Sequence, residues 1–107
     1  MKTFLKLNTT LPKDTFHLTA RKAFRELAKA ANITDFDLRT NKAGIAVLGE
    51  TTLHSESVYV QTSQSMGIMV RSVKNKKDYT GGVNHFCPYG MPERLLELVK
   101  KLSTKYI

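Results

Sequence analysis

The side chains of this 107-residue chain best suited to metal or nucleophilic chemistry are His17, His54, His85 and Cys87. His85-Phe86-Cys87 places two ligand atoms on one side of an extended segment, but a structural zinc site draws four ligands, usually from paired short-spaced motifs. The chain has one such pair. His17, beside Phe16, and His54, in a turn-flanked region, converge with it by no spacing rule, so neither a metal nor another cofactor is expected. A nucleophilic Cys87 would need an activating base, whereas its neighbours Phe86 and Pro88 suit a buried, inert thiol. His85 as a general base beside Arg71 or Lys77 and Tyr79 would make a small nuclease or toxin-like enzyme. That option ranks third, since no motif selects those residues.

Positive charge is the denser signal. Seventeen Lys and Arg against nine Asp and Glu give a formal charge of +8, which biases encounters towards nucleic acid, an anionic surface or an acidic protein. The charge is segregated, with no Lys or Arg between Lys42 and Arg71. One cluster is Arg71 with the stretch Lys74-Asn75-Lys76-Lys77-Asp78-Tyr79-Thr80-Gly81-Gly82. There the cations suit phosphates, Tyr79 offers a ring for a base to stack on, and the glycines let a backbone approach. Ordinary turn chemistry explains the same composition, and the phosphate-loop patterns GxxxxGK[ST] and GxGxxG are absent. The other cluster lies on a helix, where Arg21, Arg25 and Lys29 repeat every four residues with Lys22 alongside and Glu26 interrupting. A solvated amphipathic surface would look the same.

The expectation is a non-catalytic nucleic-acid binder, DNA or RNA, that contacts phosphate through Arg21, Lys22, Arg25, Lys29, Arg71, Lys74, Lys76 and Lys77, with Tyr79 stacking. The alternative is a small regulator or inhibitor that binds an acidic protein through Tyr59, Met69 and Val73, an apolar set that equally suits a homodimer contact or packing under a loop.

These residues need a frame. Thr3, Leu5 and Leu7 alternate with Lys2, Phe4 and Lys6, which predicts a short first strand. Phe16, Ala20, Ala23, Phe24, Leu27, Ala28 and Ala31 trace one helical face from an N-cap at Asp14 or Thr15 to a left-handed C-cap at Asn32. The period then changes, with strands expected at 36–39, 45–48, 57–61 and 67–74, turns at 41–44, 49–52 and 62–65, and a brief further strand at 83–86. Pro92 opens a second helix whose buried stripe is Leu95, Leu98, Val99 and Leu102, with Met91 and Tyr106 extending it. The order β-α-β-β-β-β-α predicts one α+β domain over 1–107, a two-layer sandwich with both helices on one face of a four- to five-stranded antiparallel sheet.

The order of helix, meander and helix resembles that of the double-stranded RNA-binding domain. Where that domain's phosphate-gripping cations would stand, at the start of the last helix, this chain reads Met91-Pro92-Glu93-Arg94. The lone cysteine suits a reducing, cytoplasmic setting. No apolar run approaches the roughly 20 residues that cross a bilayer, and the first residues form no signal-peptide core, so no membrane association is expected.

Overall fold

The computed structural model describes residues 1–43, 48–64, 67–79 and 82–105. Their order is a 3-10 helix (Lys2–Lys6), α1 (Lys13–Ala30), β1 (Phe36–Asn41), β2 (Glu50–Ser55), β3 (Val58–Ser63), β4 (Gly67–Ser72), β5 (His85–Cys87) and α2 (Pro92–Ser103). The five strands form one antiparallel sheet in chain order, the expected meander.

The first expected strand is instead the 3-10 helix. Alternation would bury Leu5, yet Leu5 is 63% exposed while Phe4 and Leu7, three residues apart, are buried, which is the spacing of a helical turn. Phe4 decides it by packing its ring on Phe24 of α1, centroids 6.0 Å apart. Helix α1 starts at Lys13 after Pro12, with no side-chain cap. Asp14, one of the two expected N-caps, therefore lies in the first turn, where it pairs with Lys42 at 2.9 Å. The C-cap is as read. Asn32 takes φ +59°, and Asn32 N and Ile33 N donate to the carbonyls of Lys29 and Ala28, the paired bonds of a Schellman motif.

The strand expected at 45–48 falls mainly outside the described residues, with Leu48 in a turn, and the expected turn at 49–52 is mostly strand. Glu50 to Ser55 pair along the whole of β1. Gly49 makes the turn at φ +80°, where a Cβ would stand 2.8 Å from His17 Nε2. His54 is thus on a strand, with one residue between it and the bend at Glu56 and Ser57.

Residues opposite one another in an antiparallel ladder share a face, and neighbours along a strand alternate. Leu38, Leu53, Val60 and Val70 form one such row across the sheet. With Ile68 and Cys87 they meet Phe16, Phe24 and Leu27 of α1 and Leu95, Val99 and Leu102 of α2 in the core. Helix α1 lies over β1 and β2, and α2 over β3 and β4. The opposite face carries the row Asp37, His54, Tyr59 and Arg71.

Candidate nucleic-acid interface

The segment between β4 and β5 does not project as a finger. Its turn closes on itself: Asn75 Oδ1 accepts from Lys77 N at 2.8 Å, Asp78 Oδ2 from Lys74 N at 3.1 Å, and Asn75 O from Asp78 N at 3.1 Å. Asx bonding of this kind is local and leaves the turn free to lie flat. It crosses the open face of the sheet to the far edge strand, where Lys76 Nζ stands 2.8 Å from Asp35 and 3.8 Å from Asp37. Asp35 holds the Lys76 ammonium above the ordinary lysine value. On its return Gly82 packs against the Arg71 side chain at φ +76°. Thr80 and Gly81 lie outside the described residues.

This strap redistributes the expected contacts. Arg71 is buried, its guanidinium 4.8 Å over the Tyr59 ring and its Nε without a hydrogen-bond partner among the described residues. It is withdrawn from any phosphate at the surface. Met69 and Val73 are also buried, so the apolar set with Tyr59 packs under a loop and forms no exposed patch. Lys74, Lys77 and Tyr79 remain exposed on the strap. The Tyr79 and His54 rings meet edge to face, centroids 5.0 Å apart, and His54 meets Tyr59 in the same way at 5.1 Å.

The second cluster stands on α1, across the sheet from the strap. Arg21 is partly spent, since Nη1 reaches Thr40 Oγ1 at 3.3 Å and Leu38 O at 3.5 Å. Lys22, Arg25 and Lys29 are exposed, and none of the described ion pairs involves them. Glu26, the acid that interrupts them in the sequence, is turned aside. Its carboxylate accepts from the Thr3 backbone N–H and hydroxyl and lies 3.5 Å from the terminal ammonium, and the Thr3 bonds hold its carboxyl below the usual range. The Phe4 and Thr3 contacts also bring exposed Lys2 and Lys6 alongside α1. Those two lysines were legible only as charge near the amino terminus, since a strand there would have carried them to the sheet.

The histidines have separate fates. His17 is 2% exposed, with Nδ1 2.8 Å from Thr51 Oγ1 and Nε2 2.9 Å from Leu48 O. Since a carbonyl only accepts, Nε2–H donates to Leu48, and Nδ1 shares a hydrogen bond with the Thr51 hydroxyl, so both ring nitrogens are engaged in holding the fold. His85 pairs with Val70 and so faces away from Arg71 and Tyr79, which leaves the nuclease trio unassembled. Burial pushes the Cys87 thiol up and away from nucleophilic character. Among the described residues no three His, Cys, Asp or Glu side chains gather where they could hold a metal ion. No helix among them is long and apolar enough to cross a membrane.

His54 carries a pH prediction. Burial, the largest cause, and then the Arg71 charge push its pKa below 6.5, partly opposed by a bond from the ring to the Asn75 backbone carbonyl and by Asp37 and Asp78. In the unfolded chain it takes a proton near 6.5, and in the folded chain only lower, so acidification favours the unfolded state across that interval. Stability is expected to hold above pH 6.5 and to decline below it. Urea midpoints of wild type and His54→Asn check this: the variant should lose part of that decline, and identical profiles would exclude His54 as the group responsible.

Comparison with protein-family models, with curated proteins and with solved structures gives no significant match.

Proposed function

We propose that the chain binds nucleic acid without catalysing a reaction on it, through phosphate contacts from Lys22, Arg25 and Lys29 of α1 with Lys2 and Lys6 beside them. The observation that carries this reading is the removal of Glu26 from the ridge by Thr3 and the terminal ammonium. An interspersed acid repels phosphate, and its withdrawal leaves cations of one sign over consecutive helical turns. Arg25 adds a planar fork able to take two phosphate oxygens at once.

The strap cations are the other half of the expected site. They lie on the opposite face of the sheet, with Lys76 tied to Asp35, so one straight duplex held by α1 would not reach them. The reading therefore rests on the α1 face for duplex phosphate contacts. It also places the chain in a reducing, cytoplasmic compartment, on the strength of its lone cysteine.

Lysine acetylation with and without saturating duplex at low salt tests it. Lys2, Lys6, Lys22 and Lys29 should be protected while Lys77 keeps its reactivity. Protection confined to Lys77 would move the site to the strap.

A further inference from the structure

The sheet face that α1 does not cover holds a pocket of about 210 Å³ between β1, β2 and the strap. We infer that it is a binding site for a single nucleobase, a neutral planar heterocycle carrying both hydrogen-bond donors and acceptors. This goes beyond the phosphate contacts proposed for α1 and does not depend on them.

Three features of the pocket select that chemistry. The first is charge. Arg39 shares the lining with Asp37 and Glu50, and Lys76 already answers Asp37 at 3.8 Å. A phosphate would meet two carboxylates and a cation would meet the guanidinium, so a neutral ligand suits the lining best. The second is hydrogen bonding. Arg39 donates, the carboxylates accept, and Asn41 and Thr52 do both. His54, which also lines the pocket, is 5% exposed, and its Nε2 has no hydrogen-bond partner among the described residues. An orphaned polar atom of that kind is costly in a fold and is satisfied when a ligand supplies the missing group.

The third feature is shape. Tyr79, His54 and Tyr59 form an edge-to-face train, with Tyr79 61% exposed at the mouth. That leaves a ring on which a flat ligand can stack. The volume lies below the roughly 300–1,000 Å³ of drug-sized sites, which leaves room for one ring system and not for a whole nucleotide. Such a base could come from a free nucleoside or from an unpaired position in a strand.

The test is an amide and imidazole NMR titration of the full chain with each of the four ribonucleosides and, in parallel, with short homo-oligonucleotides. Saturable shifts are expected at Thr52, His54, Tyr59 and Tyr79, including the His54 Nε2 resonance. Saturation by a nucleoside identifies the free base as sufficient, and saturation only by an oligonucleotide identifies a base within a strand. Tyr79→Ala and Arg39→Ala change exposed side chains, and each should weaken binding about ten-fold while core resonances stay in place. Arg25→Glu with Lys29→Glu should leave nucleoside binding unchanged, which separates this site from the α1 reading. Absent or unsaturable shifts with every probe, or full affinity in Tyr79→Ala, would overturn the inference.

Discussion

Reversing Arg25 and Lys29 together to Glu is expected to lower duplex affinity at least about ten-fold and to flatten its salt dependence. Each phosphate contact releases condensed counterions and adds about 0.9 to the log–log slope, so two lost contacts remove about 1.8. The affinity falls further because the introduced carboxylates repel the backbone, whatever the DNA sequence. Both side chains are exposed and outside the described ion pairs, so the far-ultraviolet circular dichroism and thermal midpoint should barely move. The contrasting double reversal, Lys74→Glu with Lys77→Glu, changes net charge equally on the opposite face. If charge alone governs binding the two variants will weaken alike, and if the α1 ridge governs it only the first will lose slope.

Phe24→Ala is expected to destabilise the fold by about 3–5 kcal/mol, the range for removing a fully buried phenylalanine. Phe24 is 0% exposed and holds Phe4 at 6.0 Å, so its loss leaves a cavity and undocks the first helical turn. For domains stable by about 5–15 kcal/mol this is a large fraction of the total. The same change should disturb the interface, because Thr3 can withdraw Glu26 only while that turn is docked. Leu5→Ala is the internal control. Leu5 is 63% exposed in the same turn, and its truncation should cost within about 0.5 kcal/mol. Urea unfolding of the two variants measures the difference, and a Phe24→Ala cost below about 1 kcal/mol would mean that Phe4 and Phe24 do not hold the turn.

The elements that the sequence made legible are those whose signal is local. Helix α1 has a long apolar stripe and ends at Asn32, and α2 opens on Pro92 with acids first and lysines last. The meander followed from short connections. What misled was pattern without context. Lys2 to Leu7 alternates well enough for a strand, but burying Phe4 against a residue twenty positions away outweighs that period. Strand β2 was displaced because its core side is Thr51, Leu53 and Ser55, where hydroxyls take the place of aliphatic groups. Thr51 is satisfied by His17 and Ser55 by the backbone of Ser57 and Val58, partners that no hydrophobic pattern displays.

The site was legible as charge and illegible as geometry. Both clusters of cations stand out in the sequence, but the contacts that reshape them are distant: Asp35 lies 41 residues from Lys76, and Thr3 lies 23 from Glu26. These pairings remove Lys76 from one cluster and clear Glu26 from the other. Arg71 looked like part of a basic loop, yet its place in the row with Tyr59 and His54 puts it beneath that loop. The pocket beside Arg39 left almost no trace, because its lining comes from β1, β2, β3 and the strap and meets only when register is fixed.

The most direct measurement is the affinity of the purified, nucleic-acid-free protein for labelled duplex DNA across a salt series. Contacts from three to five of the cations Lys2, Lys6, Lys22, Arg25 and Lys29 predict a log–log slope between about −2.7 and −4.5. No binding at low salt, or a slope near zero, would contradict a phosphate-binding ridge on α1.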